Sequence, residues 1–198
     1  MYFETDYIYH IYNRGNNGEI IFYSKDNYMF FLQKVKKEIS PVTEILAYCL
    51  MPNHFHFLVQ ATESSCSFYQ PKSGKAIQMQ TLVKKIALVL SSYSRAINKQ
   101  EKRTGGLFSP KTKAKSLNLL QNKNDYLLSC FHYIHQNPFS AGLVEKIEHW
   151  EFSSFIEYLY DKEYLCNIEL GKELLNLNED FYVQSYIIID EQELYPVI

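Results

Sequence analysis

The spacing of apolar residues changes period several times along the chain. "YIYHIYNRG" (7–15) alternates aromatic and β-branched residues, which predicts a strand ending at Gly15. "RGNNGEIIF" then reads as a turn, because Asn and Gly tolerate positive φ. From Ser24 the period lengthens. Tyr28, Phe31, Leu32 and Val35 mark one side of a helix that Ser24 can cap, that runs to about Ser40 and that Pro41 ends. Strand-like segments return in "VTEILAYCLM" (42–51) and "HFHFLVQA" (54–61). Met51-Pro52-Asn53 between them is short enough for a hairpin.

Residues 62–76 show no apolar periodicity and read as a loop. A long helix is predicted from about Ile77 to Lys99, with Leu82, Ile86, Val89, Tyr93 and Ile97 on one buried face. "RTGG" breaks it, and "LFSPKTKAKSLN" (107–118) reads as a fourth strand with a basic loop. Asn124 or Asp125 can start a further helix, expected to end near Asn137 because Pro138 disfavours helical backbone before it. "AGLV" is a short connector and "WEFSSFIEYLY" a final helix. The order β-α-β-β-α-β-α suits an α+β fold of ferredoxin-like type, an antiparallel sheet with helices packed on it. This division gives a domain over 1–160 and an acidic extension over 161–198, within which "FYVQSYIIID" can add a strand.

The 17 Tyr and 13 Phe in 198 residues exclude a disordered chain. No apolar run reaches the roughly 18 residues of a membrane helix, and the start "MYFETDYIYH" lacks the pattern of a secretory signal. Cys49, Cys66, Cys130 and Cys166 have no short paired spacing, so they read as free thiols in a reducing cytoplasm. Charge is unevenly spread. Residues 161–198 hold 2 basic and 9 acidic side chains, whereas 72–123 hold 12 basic and one acidic, Glu101. The middle segment suits a polyanion; the other reading is a solvated helix face beside a basic loop.

Two segments carry candidate chemistry. In a strand, His54 and His56 share one face while Phe55, Phe57 and Val59 share the other. Two imidazoles so placed can converge on one divalent ion, or they are a surface pair beside an apolar core. In "SCFHYIHQNP" (129–138), Tyr133 and Asn137 lie four apart and therefore on one helix face, which Cys130 and Tyr126 continue. A tyrosine oxygen is a weak nucleophile while protonated, so it needs a metal-activated electrophile, a proton acceptor or both. Asn137 could give a third, neutral ligand. The bland alternatives are a packing tyrosine and a helix-ending Asn-Pro.

Taken together, "YHIYNRGNNGEIIF" (9–22), "AYCLMPNHFHFLV" (47–59), "GGLF" (105–108), "YIHQNPFSAGLV" (133–144) and "WEFSSF" (150–155) resemble the small single-tyrosine transposases of the HUH superfamily. Within these the resemblance is to the group associated with repetitive extragenic palindromes (REP), and it covers about 7–160. It implies a ferredoxin-like domain that cuts and rejoins single-stranded DNA carrying a hairpin. It also implies Tyr133 as nucleophile, with Tyr126 as runner-up, and His54, His56 and Asn137 as ligands of Mg²⁺ or Mn²⁺. Attack would give a 5′-phosphotyrosine and a free 3′-OH, so that the linkage can be reversed without ATP.

Expected DNA contacts are Arg14 and Asn16 in "NRGNN" (13–17), and Lys111, Lys113 and Lys115, which alternate along the fourth strand. Lys84, Lys85 and Arg95 on the long helix are either phosphate contacts or solvated charges. Two stretches depart from the family pattern: Ser140 stands where an arginine is frequent, and "SPKTK" replaces a Gln-Gly-Arg-Phe-like segment. A monomer and a homodimer are both open from sequence. A non-cleaving relative that holds DNA hairpins and a ferredoxin-like RNA binder are the competing readings.

Overall fold

The computed structural model describes residues 1–71, 78–118, 123–178, 180–187 and 189. In chain order the strands are β1 (Ile8–Arg14), β2 (Thr43–Met51), β3 (His54–Ala61) and β4 (Lys113–Ser116). The helices are α1 (Lys25–Glu38), α2 (Glu63–Cys66), α3 (Thr81–Gln100), α4 (Lys123–Ser140), α5 (Phe155–Tyr160), α6 (Ile168–Leu175) and α7 (Phe181–Gln184). The strands form one antiparallel sheet in the order β2-β3-β1-β4. A split β-α-β arrangement of ferredoxin-like type follows from that order, as the element pattern implies.

Strand alternation gives the sheet two different faces. Ile11, Phe55, Phe57 and Val59 point to the side covered by α1 (Phe31, Val35) and α3 (Ile86, Val89). The five apolar positions expected along α3 are all buried, and the Tyr93 hydroxyl donates to the Ile21 carbonyl at 2.8 Å. His10, Tyr12, His54 and His56 occupy the alternate positions. Their face receives α4, which packs on β2 and β3. Among the described residues no helix is long and apolar enough to cross a membrane, and the four cysteines are free.

Several element boundaries differ from the sequence reading. Residues 62–76 were expected to be a loop, yet Glu63–Cys66 form one helical turn. A reciprocal cap explains it: Thr62 Oγ1 accepts from the Ser65 N–H and Ser65 Oγ accepts from the Thr62 N–H. The long helix starts at Thr81 rather than near position 77, which lies outside the described residues along with 72–76. Ser24 stands at the N-cap of α1 in extended conformation but makes no capping bond. The fourth strand shrinks to Lys113–Ser116. α4 runs through Pro138 to Ser140; a proline in the last turn forfeits only the bond to the carbonyl four residues back.

The tail segment "FYVQSYIIID" forms α7 and turns instead of a strand, with 188 and 190 outside the described residues. Its anchoring side chains recur with helical spacing. Phe181 and Tyr182 meet Phe155, Ser185 bonds to His132, and Tyr186 meets Phe139. α6 enters the main core through Ile168 and Leu175. There a Cβ on Gly171 would sit 1.9 Å from the Tyr158 hydroxyl, which itself donates to the Leu46 carbonyl at 2.6 Å.

Gly171→Ala should therefore destabilise the fold by about 1–3 kcal/mol, by overpacking and by stranding a buried carbonyl. In a Tyr158→Phe background the same change should cost less, because the obstructing oxygen is gone. Urea denaturation of the four-member cycle measures this; additive effects would show that α6 docks otherwise.

Candidate active site

The site is built where α4 crosses the histidine face. β3 presents His54 and His56 two residues apart, their ring centroids 5.0 Å from each other. α4 brings Tyr133 within 5.6 Å of the His56 ring, centroid to centroid, edge to face. One turn later Asn137 Oδ1 stands 3.4 Å from His54 Nε2. Three sequence-nominated side chains and the phenol thus converge. Tyr133 is half-buried and lines an open cleft of about 690 Å³ together with His54 and His56.

Hydrogen bonds fix the direction of these groups. His54 Nδ1 lies 2.7 Å from Asn53 Oδ1, an acceptor, so the ring hydrogen sits on Nδ1. Asn137 Nδ2 donates to the Tyr133 carbonyl at 2.7 Å, which turns its oxygen outward. Burial pushes the His54 imidazole below its ordinary range and keeps it neutral, although Asn137 acts the other way. Its Nε2 then presents a lone pair to the lone pair of Asn137 Oδ1. His56 Nε2 is buried with no hydrogen-bond partner. Burial lowers the His56 pKa strongly, and the neighbouring His10 and His54 rings lower it further.

Two facing acceptors and one orphaned imidazole nitrogen fit a divalent cation. Among the described residues no cluster of three or more His, Cys, Asp or Glu is arranged to hold a metal; the set here is two imidazoles and an amide.

The back of α4 is held as firmly as its front. His132 Nδ1 pairs with Ser185 Oγ and His135 Nε2 with Ser154 Oγ, each at 2.8 Å. Gln136 accepts from the Ile189 N–H at 3.0 Å and donates to the Ile187 carbonyl. Helical geometry turns His132 and His135 away from the Tyr133–Asn137 face, and both are buried. The runner-up Tyr126 is half-buried on the same helix.

The nominated cations divide into two groups. Arg14, Lys111 and Lys113 line the cleft, and no carboxylate appears among its described lining residues. Asn13 is buried and pins the basic loop, its amide donating to Ser109 O at 3.2 Å and Thr112 Oγ1 at 2.9 Å. Asn16 stands in the adjoining turn, where its N–H donates to the Leu107 carbonyl. That turn comes within reach of Asn53 because Gly15 passes the Glu19 carbonyl too closely for any Cβ, which would sit at 1.8 Å. Lys115 pairs across β4 with His10. Lys84, Lys85 and Arg95 ride on α3, across the sheet from the cleft, and Lys85 is paired with Glu38 at 2.8 Å.

Sequence reasoning missed His10, Asn53 and Tyr12. His10 Nε2 lies 2.8 Å from His56 Nδ1, and Tyr12 stacks on His56 at 5.8 Å. The signal was available: His10 and Tyr12 share a face by alternation in "YHIYNR".

No family model matches the chain. A Haemophilus influenzae protein that carries the provisional name REP-associated tyrosine transposase is 29% identical over 114 residues, 57% of this chain. The chain resembles the REP-associated tyrosine transposases. The match spans 58% of that relative's length. A solved REP-associated tyrosine transposase bound to a REP hairpin shares the fold, with a TM-score of 0.57 and 16% identity over 83% of this chain and 86% of that one.

The buried histidines in and behind this site make a pH prediction. Burial pushes His10 and His135 down to about 3 and His132 to about 4, whereas an exposed ring titrates near about 6.5. Below that pH the unfolded chain binds protons that the folded chain does not. Their contribution is fully present above pH ~6.5 and is lost progressively as pH falls toward the folded values. The urea midpoint should be lower at pH 5 than at pH 7, and this difference should shrink in His135→Gln. Equal midpoints at the two pH values would contradict neutral burial.

Proposed function

We propose that the protein cuts and rejoins single-stranded DNA next to a hairpin, as a single-tyrosine transposase. The observation that carries this reading is the convergence of Tyr133, His54 and His56 on a cleft whose described charged lining residues are Arg14, Lys111 and Lys113, with Asn137 set against His54. The likeness to a protein named a transposase, and to one solved with a REP hairpin, supports the DNA hairpin as substrate.

Arg14, Lys111 and Lys113 hold the DNA backbone, with Asn13 keeping the basic loop in register. His54 Nε2, His56 Nε2 and Asn137 Oδ1 would hold Mg²⁺ or Mn²⁺; imidazole suits Mn²⁺ better. When bound, the ion supplies a Lewis acid that polarises the scissile phosphate. Tyr133 Oη attacks phosphorus in line with the 3′ oxygen. Its proton is lost as the P–O bond to Tyr133 forms and the P–O3′ bond breaks, and the released 3′ oxygen takes up a proton. The 5′-phosphotyrosine conserves the phosphodiester, so attack by a second 3′-OH restores DNA.

Incubation of a labelled single-stranded hairpin with the protein and Mn²⁺, followed by a denaturing gel, tests the reading. A covalent adduct is expected with the wild-type chain and none with Tyr133→Phe, whose binding should persist. An adduct surviving in Tyr133→Phe would move the nucleophile to Tyr126. Binding without any adduct in the wild type would make the protein a hairpin-binding module, and preference for unstructured RNA an RNA binder.

The two groups of cations separate in a salt titration. Lys111→Ala with Lys113→Ala should weaken hairpin binding and flatten the salt dependence by about two units in the log–log slope. Arg95→Ala, on the other side of the sheet, should leave both unchanged. The reverse result would shift the DNA path to α3.

A further inference from the structure

The pairing of His10 with His56 bears on the metal reading, and the following rests on that reading. His10 is 1% exposed and His56 5%, and their rings lie edge to edge, with centroids 5.0 Å apart and 23° between planes. His10 Nε2 and His56 Nδ1 are 2.8 Å apart. Two neutral imidazoles at that distance share one hydrogen between the facing nitrogens. If the hydrogen belongs to His56 Nδ1, the other nitrogen of that ring, Nε2, offers a lone pair. If it belongs to His10 Nε2, His56 carries its hydrogen on Nε2 and cannot accept a cation there. His56 Nε2 is buried without a protein partner, so an N–H at that position would be a stranded donor.

We infer that His10 is a positioning residue for the ion. It accepts the hydrogen of His56 Nδ1 and so fixes the tautomer whose Nε2 lone pair is open. His54 is fixed in the same sense by Asn53 Oδ1. Both ligand rings are thereby set as Nδ1–H, Nε2-open, one by a strand neighbour and one by the hairpin turn. A partner on the far nitrogen orients a ligating histidine and raises its basicity.

The test has two readouts besides cleavage. Nitrogen-15 imidazole spectra of the wild-type chain in Mg²⁺ should show the His56 hydrogen on Nδ1; a hydrogen on Nε2 would overturn the inference without any variant. Mn²⁺ titration, followed by the paramagnetic signal of the free ion, is then run on wild type, His56→Ala, His10→Phe and His10→Gln. His10→Phe keeps a ring of similar shape without an acceptor and should weaken Mn²⁺ binding about 10–100-fold. His10→Gln restores an acceptor oxygen and should recover most of it. Wild-type affinity in His10→Phe, with binding lost in His56→Ala, would overturn the role of His10 and leave the metal reading standing. No Mn²⁺ binding by the wild-type chain would remove both.

Discussion

His54 Nε2 and Asn137 Oδ1 stand 3.4 Å apart, and each presents a lone pair to the other. Neither can turn away: Asn53 holds the His54 hydrogen on the opposite nitrogen, and the Tyr133 carbonyl holds the Asn137 amide group. Such an arrangement is unfavourable in a bare low-dielectric site and becomes favourable around a cation. The rest of the site is organised so that this opposition persists. β3 fixes one acceptor on a pleated, hydrogen-bonded strand, and α4 fixes the other on a helix clamped from behind by Ser154 and Ser185.

One helix carries both Asn137, the proposed third ligand, and the Tyr133 phenol. Because Tyr133 and Asn137 are four residues apart, any rotation of α4 that spoils one contact spoils the other. The clamp on the far side of α4 therefore bears on chemistry, though it touches none of the reacting groups. His132, His135 and Gln136 supply it, with Ser154, Ser185, Ile187 and Ile189 as partners. The C-terminal segment, which has no counterpart in the motifs that carry the resemblance, thus completes the mounting of the helix that carries Tyr133 and Asn137.

The four-strand order and the buried stripe of α3 were legible because period and length decide them. His54, His56, Tyr133 and Asn137 could be grouped from alternation in a strand and spacing in a helix. Other features lay outside what local pattern encodes. Glu63–Cys66 became helical through a reciprocal side-chain cap, and 181–187 turned because its anchors meet α4 and Phe155, both long-range partners. Pro138 reads as a terminator, yet a proline in the last turn of a helix costs one bond. His10 was passed over because its partner is 46 residues away on the neighbouring strand. The lysines of α3 carried the same charge signal as Lys111 and Lys113, and only the two-sidedness of the sheet separates them.

The proposed ligand set is neutral, and that has an electrostatic consequence. Two imidazoles and an amide remove none of the charge of an ion held between them, and the cleft adds Arg14, Lys111 and Lys113 with no carboxylate among its described lining residues. Burial keeps the imidazoles uncharged, so they do not repel the ion they would hold. The strongest anion available to complete such a site is the substrate phosphate itself. A carboxylate ligand in place of Asn137 would bind the ion more tightly and leave it less able to polarise phosphorus–oxygen bonds. In the proposed reaction, a neutral amide one turn after Tyr133 would therefore reserve the ion's charge for the scissile phosphate.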